Sequence, residues 1–233
     1  MTETQNIFDQ IAPSWYGFRH WSRFRKELEI LAQRWQKGRL LNIGCAHGPD
    51  FLPFAQSFEL YGIDFSNEML KFAQKYAQKF NFDVNLSLGD ASYLPYADAT
   101  FDWAISVATY HHIRYSEERQ KAFHELWRVL KPGGEAFITV WNRWQRRFWL
   151  KGKGVAIPWR AKDETLYRYY YLFSYSELEK LAKQAGFETL KSSPEGSYRF
   201  PIKFFSRNIC LLVKKSSMSV SSPLYVHIDK TIR

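Results

Sequence analysis

Gly44-Cys45-Ala46-His47-Gly48 follows directly on an apolar run, and Asp64 stands twenty residues beyond Gly44. Glycines at both ends of a turn let the backbone approach a ligand closely, because they accept positive φ and carry no Cβ. A carboxylate closing the next strand can accept hydrogen bonds from both ribose hydroxyls of a nucleoside. Gly89-Asp90-Ala91 adds a third strand-end acid, placed to accept from an adenine amino group. Each feature alone would suit an ordinary solvated loop, whereas their joint spacing describes a nucleoside pocket. Neither G-x-x-x-x-G-K-[ST] nor G-x-G-x-x-G occurs, which points to a nucleoside ligand without a pyrophosphate.

The periodicity of the chain predicts the elements that hold these loops. Helical spacing runs from residue 5 to about 35, with an expected interruption at Pro13-Ser14. A buried strand over 39–43 leads into the glycine turn, and a helix is predicted over 49–57. A second strand, 60–63, ends at Asp64, and Ser66 then caps a helix with Met69, Leu70, Ala73 and Ala77 on one face. Strands are predicted over 84–88, 101–107 and 136–141, with a helix from Ser116 stopped by Pro132-Gly133-Gly134. A helix over 176–185 and closing strands over 187–190 and 208–214 complete the pattern. Alternating strands and helices imply an α/β chain with a mainly parallel sheet, covered on both faces, whose ligands sit at the carboxyl ends of the strands.

The 233 residues carry 33 Lys+Arg against 23 Asp+Glu, a net charge of +10, with 18% aromatics and two cysteines. Cys45 and Cys210 stand far apart with no C-x-x-C pairing, which excludes a disulfide scaffold or a cysteine-based zinc site. No apolar run approaches the roughly 18 residues of a membrane span, and the first residues do not resemble a signal peptide, so a cytoplasmic protein is expected. Residues 40–135 hold 8 basic and 12 acidic side chains, net −4, leaving 25 and 11, net +14, for the flanks. From Arg143 to Lys162 the cations Arg143, Arg146, Arg147, Lys151, Lys153, Arg160 and Lys162 occur without one acid. Aromatic rings thread through and beyond that stretch, Tyr169 and Tyr170 among them. Cations interleaved with flat rings suit a surface that tracks phosphates and stacks bases; rings partly in the core beside a solvated basic face would read the same way.

The residues resemble the class I S-adenosylmethionine-dependent methyltransferases. Residues 41–48 look like that family's first motif, Tyr61-Gly62-Ile63-Asp64 like its ribose-binding acid, Gly89-Asp90-Ala91 like its adenine loop, and Leu130-Lys131-Pro132-Gly133-Gly134 like the turn before its fifth strand. Two departures stand out: Asn42 occupies a position where an acid is usual, and Ala46 replaces the middle glycine. The resemblance implies a Rossmann-like fold with a seven-stranded, mainly parallel sheet and S-adenosyl-L-methionine as cofactor. It also implies cofactor contacts from Asn42, Gly44, Cys45, Ala46, Gly48, Asp64, Phe65, Asp90, Ala91 and Val107, and no metal.

Over about residues 6–215 the chain is similar to the tRNA wobble-uridine methyltransferases that esterify 5-carboxymethyluridine. The matches are Phe8-Asp9-Gln10-Ile11-Ala12-Pro13 with Phe18-Arg19-His20, the stretch 101–112 that carries the fourth strand and His111-His112, and the aromatic segment 167–173. This implies a helical lid over 1–38, a methyltransferase domain over 39–215 with a basic-aromatic insertion at about 142–173, and a flexible tail over 216–233. Arg19, His111 and His112 become the candidates that orient a substrate carboxylate, and Arg143, Arg146, Arg147, Lys151, Lys153, Tyr169 and Tyr170 those that meet tRNA. The family also implies a small zinc-binding activator subunit. Two other readings stay open: a methyltransferase of a quinone or lipid precursor, and a non-catalytic RNA-binding relative, the latter suggested by Asn42 and Ala46.

Overall fold

The computed structural model describes residues 3–160 and 164–216. Its centre is β1 (Gly38–Ile43), which pairs in parallel with β2 (Phe58–Asp64) on one side and β4 (Phe101–Val107) on the other. β3 (Asn85–Leu88) adds an edge beside β2, and β5 (Leu130–Trp141) extends the parallel set beyond β4. β8 (Phe187–Pro194) and β9 (Asn208–Lys215) close the sheet antiparallel, in the order β3-β2-β1-β4-β5-β9-β8. A central strand is buried on both faces, so β1 is buried without interruption from Leu40 to Ile43 instead of alternating. Leu41 and Ile43 pack on one side with α4 (Ser116–Val129) and α5 (Tyr175–Gln184). Leu40 packs on the other with α2 (Arg25–Trp35) and α3 (Asn67–Phe80).

α1 (Glu3–Phe18) runs unbroken through Pro13, and the chain interrupts the helical pattern later, between residues 19 and 24. Proline removes one donor and crowds the carbonyl four residues earlier, yet Phe8, Ile11 and Ala12 are buried against Met69, and that packing keeps the helix intact. The segment expected as a helix over 49–57 is a 3₁₀ turn, Pro49–Phe54. Pro53 supplies no N–H to the carbonyl of Pro49, so an α-helical ladder cannot start. β8 runs four residues past its expected end, through a register shift between Thr189 and Lys191 that breaks the alternation on which the boundary rested.

Within the expected insertion, β6 (Gly154–Arg160) and β7 (Thr165–Tyr171) form a two-stranded antiparallel sheet. It clasps α1: Trp159 lies 5.1 Å from Trp15, ring to ring, and its Nε1–H donates to Ser14 Oγ at 3.0 Å. Lys162 and the expected tail from 217 onward lie outside the described residues.

Candidate active site

The carboxyl ends of β1, β2, β4 and β5 open into one cleft, roofed by α1 and the 19–24 connection. Gly44 and Ala46, Asp64 and Phe65, Val107, His111 and His112, and Arg19 and Tyr170 all line it. Asn42, Cys45, Gly48, Asp90 and Ala91 do not. Asn42 is fully buried behind the turn, and neither its Oδ1 nor its Nδ2 finds a partner among the described residues. Cys45 turns its side chain into the core with Phe51 and Phe54. The Asp90 carboxylate, exposed, accepts from Ser92 N–H at 2.7 Å and closes its own loop.

Ala46 has φ +46°, the left-handed region in which glycine is at ease and alanine is strained. The position is held by its N–H, which donates to Asp64 Oδ2 at 2.8 Å, while Asp64 Oδ1 accepts from Ser66 N–H at 2.9 Å. Burial nonetheless raises the Asp64 carboxyl to about 6, against the pull of those two donors. Asp50, at the start of the 3₁₀ turn, is a second buried carboxyl in the lining, likewise raised to about 6 by burial and eased by a hydrogen bond from Ser22 and the charge of Arg19. Composition offered no reason to single it out. The signal was its place in the turn two residues after Gly48, with an amide, Asn42, standing where an acid is usual.

Arg19 sits in the cleft with its Nε buried and without a hydrogen-bond partner. Among the described residues no carboxylate pairs with it, and its guanidinium lies 4.3 Å from the Trp15 ring. Burial, then the charge of Arg23, lowers it to about 10, so it stays charged at neutral pH. The backbone carbonyl of Arg19 accepts from His47 Nε2–H, which fixes the tautomer of His47 and ties the glycine turn to the roof. Burial lowers His47 to about 4.

The two adjacent histidines differ in what they present. His111 Nδ1 accepts from Trp141 N–H at 3.2 Å, so its proton is on Nε2, and no acceptor among the described residues takes it. His112 Nδ1 donates to the Tyr169 carbonyl at 2.9 Å, which leaves its Nε2 a bare acceptor. Burial holds both neutral, His112 at about 3. Neither is therefore a cation; His111 offers a neutral donor.

Tyr170, expected on a base-stacking surface, is buried and stacks on Trp141 at 4.1 Å and on His111 at 4.8 Å, so its ring forms the cleft wall. Tyr169 holds His112 through its main chain. Arg168, which sequence reasoning passed over, is buried between Trp15 and Trp159 and bonded to Tyr170. Arg143, Arg146, Arg147, Lys151 and Lys153 stay outside the cleft. Arg147 covers Trp141 and Phe148, and Lys153 pairs with Glu177 at 3.1 Å. No helix among the described residues is long and apolar enough to cross a membrane.

Residues 41–138 match a methyltransferase domain family. The chain is 30% identical over 217 residues to the demethylmenaquinone methyltransferase of Lactiplantibacillus plantarum, a match covering 80% of this chain and 88% of that protein. It is 34% identical over 137 residues to the tRNA (carboxymethyluridine(34)-5-O)-methyltransferase of Arabidopsis thaliana, covering 58% of this chain but only 31% of that much longer protein. A solved methyltransferase in complex with the Trm112 activator of Haloferax volcanii has the same fold, with a TM-score of 0.64 at 16% identity over 92% of this chain and 98% of the other.

Proposed function

The chain belongs to the class I S-adenosylmethionine-dependent methyltransferases, with S-adenosylmethionine as its cofactor, and from that premise we propose that it methylates the carboxylate of a modified wobble uridine in tRNA. The residues present fit the cofactor. A ribose diol donating to Asp64 and an α-ammonium beside Asp50 would each stabilise a buried carboxylate that burial otherwise holds at about 6. Gly44 and Ala46 line the same cleft.

When bound, the cofactor supplies an electrophilic methyl group on sulfur; the protein has to present the acceptor in line with it. A carboxylate is already ionised at neutral pH, so no strong base is needed, and the neutral histidines accord with that. Arg19 and the Nε2–H of His111 act as the two donors that hold the substrate carboxylate. The observation that carries this reading is Arg19 itself: a guanidinium kept in the cleft with its Nε unbonded and no ion pair among the described residues, where an incoming anion would complete the pair.

A quinone precursor is the second reading, favoured by the relative that matches over most of its length. An apolar ring could lie against Phe8 and Trp141 in the lining, but it would give Arg19 no ion-pair partner and leave it only the field of Asp50. The deciding experiment supplies labelled S-adenosylmethionine and total tRNA, with and without a small zinc-binding activator like the one implied by the resemblance. Label should enter tRNA and be released by mild alkali, as an ester is. Label that resists alkali eliminates ester formation, and label that enters only a quinone precursor selects the second reading.

A further inference from the structure

β5 and β9 end side by side, with Trp141 paired to Asn208, and both residues line the cleft. The chain leaving β5, 142–153, and the chain entering β9, 196–207, therefore run together just beyond the cleft. They are fastened through the main chain. Asn142 Nδ2 donates to the carbonyls of Phe204 at 2.7 Å and Ser206 at 2.9 Å, and the Tyr175 hydroxyl donates to that of Lys203 at 3.2 Å. The Glu195 carboxylate closes the base by accepting from Asn208 N–H at 2.8 Å.

None of these bonds involves the rings of Phe200, Phe204, Phe205 and Trp149, and the rings are left outside. Trp149, Phe200 and Phe204 are 52%, 54% and 51% exposed. Phe205 lies 5.6 Å from Trp149 and 6.2 Å from Phe200, so rings from both segments share one face. A contiguous exposed aromatic face on a folded chain marks a contact surface. The two segments carry eight cations and no acid, and among the described residues only Lys153 of these pairs with a carboxylate. Arg147 feels the nearby charges of Arg207 and Arg23, and Arg23 lines the cleft, so positive charge leads from the rings to the site.

We propose that these two segments form a stacking platform for single-stranded RNA next to the target nucleotide, a proposal that rests on the tRNA reading above. Ring faces accept any base, and unpaired guanidinium forks match phosphate. An anionic membrane is the competing occupant. It would be met by an amphipathic helix with an aliphatic face, whereas this surface is built from two loops in which rings outnumber the exposed aliphatic side chains Leu150 and Ile202.

The probe is a fluorescent RNA hairpin with uridine at the wobble position of its loop, with vesicles rich in phosphatidylserine as the second arm. Two variants are compared with the unaltered protein: Trp149→Ala with Phe200→Ala, and Arg199→Gln with Lys203→Gln, the latter confined to exposed side chains. The ring variant should lose about tenfold or more in hairpin affinity, in line with stacking energies. The charge variant should flatten the salt dependence by about 0.7 to 0.9 in slope per cation. Calorimetric S-adenosylmethionine binding should stay unchanged in both. If both variants bind the hairpin like the unaltered protein while alkali-labile transfer to tRNA persists, the platform is overturned and the tRNA reading stands. If the unaltered protein binds the vesicles but no RNA, and transfers nothing to tRNA, both fall.

Discussion

Asp64 has both carboxylate oxygens engaged by backbone N–H groups, and burial still leaves its carboxyl at about 6. A raised acid is ionised at pH 7 and takes up a proton as the pH falls through about 6, losing the charge that favours ribose donors. Cofactor affinity should therefore be flat above about pH 7 and weaken by up to tenfold per unit below pH 6. Asp50→Asn should make that decline shallower, because Asp50 titrates in the same range. Calorimetry from pH 8 to 5 reads this directly, and constant affinity across the range would refute it. Fold stability is a poorer readout, because the signs oppose. Asp50 and Asp64 stabilise the fold at low pH, an effect lost as the pH rises through about 6. His47 and His112, lowered to about 4 and 3, stabilise above about 6.5, an effect lost as the pH falls toward those values. Asp64 and Gly44 were legible in the sequence, since spacing along strands fixes where a strand-end residue emerges. Asp50, the lone guanidinium at Arg19 and the opposite tautomers of His111 and His112 were not. They depend on which groups arrive from other elements, and periodicity does not record that.

The first turn of α3 shows how the elements hold the roof. Ser66 Oγ accepts from Met69 N–H at 3.1 Å and donates to Asp9 Oδ1 at 2.6 Å, and the same Asp9 oxygen accepts from Glu68 N–H at 3.1 Å. A residue of α1 thus helps cap α3, and a carboxylate at a helix N-terminus is favoured by the helix dipole. Ser66→Ala should cost about 1 kcal/mol in urea unfolding, as a lost cap does. Asp9→Ala leaves the Ser66 cap in place, so its mark should be faster amide exchange over residues 8–12 with a smaller change in unfolding. If exchange there is unaltered, the burial of Phe8, Ile11 and Ala12 holds α1 without the pin. Ser66 was readable as a cap from its position before an apolar stripe; its partner fifty-seven residues earlier was not. The same limit explains the element boundaries. Alternation located the parallel strands, but tertiary packing carried α1 through Pro13, Pro53 turned an expected helix into a 3₁₀ turn, and a bulge lengthened β8.

Across the whole molecule, the net charge of +10 is the sum of −4 over residues 40–135, which hold the glycine turn and Asp64, and +14 over the flanks. The cations between Arg143 and Lys153 look equivalent in the sequence, but the structure separates them. Arg147 packs on Trp141 and Phe148, and Lys153 is paired with Glu177, so replacing either would disturb packing or an ion pair as well as charge. Arg146 and Lys151 stand exposed and Arg143 is half-buried over the Trp144 ring, none of them with a carboxylate partner among the described residues. Changing these three to Gln breaks no ion pair among the described residues and loses one ring contact, at Trp144, so it should act chiefly through charge. Each lost phosphate contact lowers the slope of log affinity against log salt by about 0.7 to 0.9, so the triple variant should flatten tRNA binding by up to about 2 to 3 in slope. Its deficit should be largest at low salt and shrink as the Debye length shortens. Cofactor affinity, set within the acidic core, should not move. A slope equal to that of the unaltered protein would mean that these three cations form a solvated face, and that the tRNA backbone is met elsewhere on the molecule.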